Sequence, residues 1–349
     1  MKLSETNKRD ISTAMRAWRT VRSRPRKCMC PYCKETRIID SHSLSQSFPL
    51  KAIAVDGWVY QPQFRDMGRI LSRSYTTGNV YPTIGRVETS KASVFNWYCG
   101  YHDNQLFKHI DVSELNFNDE QQVRELYLRA MSRNIANLED GVFCVEEFDK
   151  IRKQMGIVVE PAISGSLLAY ESDIRRLWNP FWESKAPGVI KWYWRILEGN
   201  LGISVSAMYP MAGDLNAERW FYYCGARPMV ALSVIPQENG LTHVVFAWWC
   251  EWDQTMQTFK TMLEQSSDKD FLHVLNRIVV TKLDGLCISP IIWEGLSQEE
   301  RLRVEYFQQT DDCQDPKVSV PKLISCRNFR VMRKNITHGE ADVRRGDAN

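Results

Sequence analysis

The chain has no uncharged apolar run of about eighteen residues, the length a membrane-spanning helix needs, so no span is expected. Its first twenty residues are charged and lack an apolar core, which argues against a secretory signal. There is no phosphate-cradling glycine loop, no Gly-x-Ser-x-Gly elbow and no dinucleotide fingerprint, which removes the usual nucleotide-binding and α/β-hydrolase readings. Internal repeats and low-complexity segments are also missing. Cysteine is present but not in a disulfide pattern: ten are spread over 349 residues, and four sit in two metal-like clusters. That usage suits a reducing compartment and a cytoplasmic protein.

The net charge of +3 hides an uneven distribution. Residues 1–27 hold nine Lys or Arg against two acids, whereas residues 28–326 hold 30 basic against 37 acidic. Residues 327–349 are basic again, with six cations against three acids. Cations at the ends can neutralise phosphates and release counterions, so Arg16, Arg19, Arg22, Arg24, Arg26 and Lys27 are candidate nucleic-acid contacts. The competing reading is a pair of solubilising ends.

Periodicity predicts a helix over 8–23 with Ile11, Met15 and Trp18 on one stripe, stopped by Pro25. Residues 36–39 read as extended, and Asp56-Gly57-Trp58-Val59-Tyr60 as the turn and return strand of a hairpin. Residues 61–90 have no clear period. Helices are expected over 119–138, with Asn118 or Asp119 as cap, and over 145–154. The second half alternates instead: Ile190, Trp192, Trp194 and Ile196 mark a strand, with further strands at 203–207, 230–235 and 244–249 and helices after them. Ser297 to Glu300 reads as a capping box. Strands in succession followed by helices predict an α+β fold with a mostly antiparallel sheet covered on one side. Nine of twelve tryptophans lie in this half; core and interface packing is the favoured reading and base stacking the other.

The chemistry concentrates in Cys28-Met29-Cys30-Pro31-Tyr32-Cys33 and Cys99-Gly100-Tyr101-His102-Asp103-Asn104. Structural Zn²⁺ takes four N or S ligands tetrahedrally, and a knuckle followed by a Cys-x-x-His that opens a helix after an aromatic strand is a zinc-stapled treble-clef (ββα) arrangement. Cys28, Cys30, Cys33, Cys99 and His102 offer one donor too many, and spacing alone leaves open which of Cys28 and Cys30 binds. The alternative is that these are reduced, buried cysteines packing as small hydrophobes.

Residues 28–110 resemble the HNH (His-Me finger) nuclease unit in its zinc-stapled form. On that resemblance His42 falls at the general-base histidine, Cys99 and His102 at the second zinc pair and Asp103 at a metal-binding position, with Asp40 or a neighbour helping Asp103 hold a catalytic Mg²⁺ or Mn²⁺. The family's acid directly precedes its histidine, whereas Ser41 stands there and Asp40 is displaced by one residue, which on a strand changes face. Ser41-His42-Ser43-Leu44, Gly57-Trp58-Val59-Tyr60 and Ile288-Ser289-Pro290 further resemble uncharacterised bacterial proteins associated with mobile elements and phage defence. Taken singly, His42 reads as a hydrogen-bonded strand histidine and Asp103 as a carboxylate in the first turn of a helix.

The expected organisation is a basic N-terminal helix (1–27), a zinc-binding treble-clef unit (28–112), a helical connector (113–160), an α+β domain (161–330) and a basic flexible tail (331–349). The expected function is a metal-dependent nuclease or nucleic-acid-processing effector of bacterial anti-phage defence. The alternatives are a non-catalytic zinc-stabilised module that binds nucleic acid or a protein partner, and a homo-oligomeric accessory subunit.

Overall fold

A computed structural model describes residues 5–63, 83–112, 115–156, 165–184, 186–211, 228–280, 285–308 and 319–324; the basic tail at 331–349 lies outside the described residues. The fold is α+β with a mostly antiparallel seven-stranded sheet. In chain order come α1 (Glu5–Ser23), β1 (Ile38–His42), β2 (Trp58–Gln63), β3 (Thr83–Glu88), β4 (Val94–Cys99), α2 (Gly100–Leu106) and α3 (Glu120–Gln154). After α4 (Gly165–Asp173) and α5 (Asn179–Glu183) follow β5 (Ile190–Glu198), β6 (Ile203–Pro210), β7 (Met229–Pro236) and β8 (Leu241–Trp249). The last elements are α6 (Asp253–Gln265), α7 (Asp268–Val280), β9 (Leu286–Ile288), α8 (Pro290–Gly295) and α9 (Gln298–Phe307). No helix among the described residues is long and apolar enough to cross a membrane.

The large sheet runs β3-β2-β9-β6-β7-β8-β5, while β1 and β4 form a separate antiparallel pair. Two expectations change here. Asp56-Gly57 does make a tight turn, with both residues at positive φ, but β2 is not the return strand for β1. It pairs with β3 and, at Tyr60, with Ile288 of β9, so the stretch between the two metal-like clusters contributes a hairpin to the second half's sheet. The return strand is β4, which carries Asn96 and ends at Cys99. The sheet is also covered on both faces. In β8, Val244, Phe246 and Trp248 pack with Phe259, Leu263 and Phe271 of α6 and α7. Val245, Ala247 and Trp249 point the other way, into a core with Tyr127, Met131 and Ile135 of α3 and with Trp97. The result is three layers, in which continuous apolar runs rather than alternation mark the central strands.

Helix α3 replaces the two helices expected at 119–138 and 145–154. Asp119, one of the two caps the sequence offers, caps it by accepting from the Gln121 N–H. A single interior glycine, Gly141, costs about 1 kcal/mol and does not break a helix held by packing on both sides of it. Val142 is buried one residue on, and Arg24 lies 3.7 Å over the Phe143 ring. The Ser297 capping box is present as read. The tryptophans divide by depth. Trp97, Trp178 and Trp248 are core, whereas Trp182, Trp192 and Trp194 pack against it half-buried, consistent with the packing reading.

Two positions in this frame carry expected outcomes. A Cβ on Gly285 would stand 1.8 Å from the Ser206 carbonyl oxygen, in the backbone of the adjoining strand, which cannot rotate away. Gly285→Ala is expected to cost at least about 1–3 kcal/mol in a denaturant melt, whereas Gly240→Ala, with nothing within 4 Å, is strained only by its φ of +79°. His243 on β8 is buried against the Phe117 ring, and burial pushes its pKa down to about 4. The folded protein therefore binds fewer protons than the unfolded chain between about pH 6.5 and 4, and stability falls as pH drops through that window. Melts across it should lose up to about 3 kcal/mol, a loss that His243→Phe flattens.

Candidate metal centre and its neighbouring histidine

The segment before β1 turns back on itself: the Cys28 N–H donates to the Glu35 carbonyl, the Cys33 N–H to the Cys30 carbonyl, and Tyr32 takes a φ of +68° between them. The Met29 N–H donates to the Trp97 carbonyl, which pins this knuckle to β4. Cys99 ends β4 and His102 lies in the first turn of α2. Cys28, Cys33, Cys99 and His102 thereby present ligand atoms that all lie within 4.8 Å of one another. His102 Nδ1 is 3.5 Å from Cys28 Sγ and 3.2 Å from Cys99 Sγ. Zn–S and Zn–N bonds of about 2.3 and 2.0 Å at a tetrahedral angle put S and N about 3.5 Å apart, so this donor set fits a structural zinc ion. Cys30 is not in the set; the chain places its carbonyl in the turn and keeps Cys28, five residues before the next ligand, as the partner of Cys33.

Cys28 and Cys30 are not easily ionised without a cation. Burial raises Cys28 to about 12 and Cys30 to about 11. At Cys99 burial also raises the pKa, but the backbone N–H groups of His102 and Tyr101 and the neighbouring thiols outweigh it and leave it lowered. A bound dication supplies the charge that would let all three ionise together.

The second feature is His42, the last residue of β1. Its Nδ1 lies 3.1 Å from the Ala92 carbonyl. A carbonyl only accepts, so Nδ1 carries the hydrogen and Nε2 is left with the free lone pair. Burial lowers the His42 pKa and the Arg129 charge adds to this, while the Ala92 bond and the Asp103 and Asp40 charges oppose it. His42 thus stays neutral at pH 7, with Nε2 as a base. Asp103, next to His102, lies within electrostatic reach of His42 and is half-buried. Burial raises its pKa, against the Ser41 hydroxyl, Arg129 and His42. Ser41 Oγ and Asp103 Oδ1 are both buried; the hydroxyl is near enough to favour the carboxylate charge, but neither atom reaches hydrogen-bond geometry among the described residues.

Asp40 does not join this pair. It is exposed, on the outer face of β1, and accepts a hydrogen bond from Asn96 Nδ2 across the strand pair. The basic segment is also partly committed. Arg24 pairs with Glu139 and Asp140, and Arg26 pairs with Asp140 at 2.7 Å and donates to the Asn96 carbonyl at 3.1 Å. These two arginines tie the knuckle to α3, while Arg16, Arg19, Arg22 and Lys27 are exposed.

Residues that the sequence reading passed over complete the surroundings. Glu125, Arg129 and Arg133 recur every four residues along α3, inside its apolar stripe. Glu125, 3 % exposed, accepts from the His109 backbone N–H at 3.0 Å and contacts the His109 ring through Nδ1. Arg129, 5 % exposed, grips both Asp111 carboxylate oxygens at 2.8 and 2.9 Å, and Arg133 donates to Ser43 Oγ at 2.7 Å. The row clasps the loop after α2 and the end of β1, which fixes Asp103 and His42 relative to α3. Charged residues at four-residue spacing within an apolar run were the available signal.

The chain matches no protein-family model, no curated protein and no solved structure. What the site can do therefore rests on its own chemistry.

Proposed function

We propose that the knuckle, β1, β4 and α2 form a zinc-stapled treble-clef unit of HNH type, and that the protein is a metal-dependent nuclease. The observation that carries this reading is the arrangement of His42: its Nδ1–H is held by the Ala92 carbonyl, its Nε2 has no hydrogen-bond partner among the described residues, and the charge of Asp103 on α2 reaches it. His42 Nε2 would take a proton from the water whose oxygen attacks phosphorus, as the bond from phosphorus to the departing sugar oxygen breaks. Asp103 is the residue that would hold a Mg²⁺ or Mn²⁺ ion, whose charge stabilises the phosphate oxygens as the substitution proceeds. Asp40, on the exposed face of β1 opposite buried Ser41, would have to turn inward to contribute. Cys28, Cys33, Cys99 and His102 would hold a zinc ion that takes no part in the chemistry and would fix the start of α2 and so the place of Asp103. A role in anti-phage defence is proposed on the sequence resemblance alone.

The second reading, a non-catalytic zinc module that binds nucleic acid or a partner, is favoured by the engagement of Asp40 with Asn96. The two are separated by Mg²⁺- or Mn²⁺-dependent cleavage of plasmid DNA and of RNA. Cleavage that disappears in His42→Ala while zinc is retained supports the nuclease, and zinc without cleavage under either ion supports the binding module.

A further inference from the structure

The most exposed aromatic rings of the described residues flank the metal cluster. Tyr32 is 102 % exposed and immediately precedes Cys33; Tyr101 is 70 % exposed and immediately precedes His102. The ligand atoms of Cys33 and His102 lie within 4.8 Å of one another, so the two tyrosines stand on one rigid knob. Packing does not explain Tyr32. Its φ of +68° is a left-handed conformation that disfavours bulky residues and suits Gly or Asn, and its side chain gains no burial in return. Tyr101 is 70 % exposed and meets the His102 ring edge to face, with centroids 5.2 Å apart.

The ground around the rings is cationic. Lys27, Lys34 and Arg37 are exposed on the knuckle, and Lys108 is exposed just beyond α2. The acid among them, Glu35, turns its carboxylate onto the backbone N–H groups of Thr36 and Arg37 at 2.9 and 2.8 Å. On α2, Tyr101, Asn104 and Gln105 share the outward face, on the side away from Asp103. Aromatic rings set among lysines and arginines, with amides beside them, match what an unpaired nucleic-acid strand offers: base faces to stack and phosphates to neutralise. A base-paired duplex hides its faces and would find only the cations.

From this juxtaposition we infer that the metal knob is a single-strand nucleic-acid contact, with Tyr32 and Tyr101 as base-stacking platforms and Lys27, Lys34 and Arg37 as phosphate contacts. The inference rests on the reading that the protein acts on nucleic acid, but not on His42 being a catalyst. It places strand recognition on the metal unit itself rather than on α1, whose last-turn neighbours Arg24 and Arg26 are occupied by Glu139 and Asp140.

The test is fluorescence anisotropy with labelled mixed-sequence 20-nucleotide single strands of DNA and RNA and the matching duplexes. The full-length zinc-loaded protein carries His42→Ala, so that binding is read without cleavage. Tyr32→Ala and Tyr101→Ala are each expected to weaken single-strand binding about tenfold, with the slope of log affinity against log salt unchanged. Tyr32→Phe and Tyr101→Phe should bind within twofold of the parent, since stacking needs the ring and not the hydroxyl. Lys34→Ala and Arg37→Ala should each flatten the salt slope by about 0.7, the single-strand value per phosphate contact. Single-strand binding that is unchanged in both Tyr→Ala variants, or duplex binding as tight as single-strand binding, overturns the inference. So does binding that only a protein partner, and no nucleic acid, shows. Tyrosine-dependent binding by a protein that never cleaves sustains the inference while defeating the nuclease reading.

Discussion

His42→Ala should lose cleavage by about 10² to 10⁴-fold, the range a positioned general base contributes, while keeping its zinc and its fold. The residue is well placed for a clean comparison. It is half-buried at the end of β1, bonds through Nδ1 to a backbone carbonyl, and makes no hydrogen bond to the four metal-set donors. Truncation removes one hydrogen bond, for which a stability change of about 1 kcal/mol is the expected scale. The pH profile adds a second readout. Because burial lowers the His42 pKa, the neutral base persists below the ordinary histidine range, so activity should hold as pH falls through about 6.5 and drop only at more acid values. A profile whose acid limb sits above pH 6.5, or a His42→Ala variant that cleaves at more than a tenth of the parent rate, points to another base. Asp103→Asn should also abolish cleavage, with a loss that excess Mn²⁺ only partly restores.

Removing the metal should be the largest structural perturbation. Apparent binding free energies of structural zinc in small zinc-binding peptides are about 10–16 kcal/mol, and in a protein where folding and binding are coupled that energy stabilises the fold. Here Cys28 and Cys99 are themselves buried in the core that holds Trp97, Tyr98 and Phe107 against α3. Loss of a bound ion would therefore reach past the knuckle, to the layer beneath the large sheet. Cys99→Ser is expected to lower stability by at least about 3 kcal/mol and to weaken the near-ultraviolet circular dichroism of the packed aromatics, and a strong chelator should reproduce both effects in the wild type. A melt that a chelator leaves unmoved, in protein shown to contain zinc beforehand, would place the ion outside the folding unit.

Local chemistry made part of this legible in advance. Cysteine spacing, the aromatic strand ending in Cys99 and the Asp119 and Ser297 caps are patterns of a few neighbouring residues, and the alternation of 190–196 fixes a strand from its own side chains. Long-range pairing leaves no such mark. Nothing within Trp58–Gln63 says that it will lie beside Ile288 rather than His42, because β-ladder partners are chosen by the whole core. Burial on both faces of β6, β7 and β8 was likewise hidden, since which helices cover a sheet is a tertiary fact. Charge was the least legible property. Arg24 and Arg26 look like Arg16 and Arg19 in the sequence, yet two acids on α3, more than a hundred residues later, claim the first pair and leave the second exposed. The same holds for Arg129, whose value to the site depends on Asp111 and on the return of α3 beneath β1.

The most direct test of the metal centre is elemental analysis of protein purified without added metal, comparing wild type with Cys28→Ser, Cys30→Ser and Cys99→Ser. If the four donors within 4.8 Å of one another hold zinc, the wild type carries one ion per chain, Cys30→Ser retains it, and Cys28→Ser and Cys99→Ser fall to well below half occupancy. A wild type without zinc, or zinc kept in Cys28→Ser and lost in Cys30→Ser, would contradict the donor set on which the placement of Asp103 and the tyrosine knob both depend.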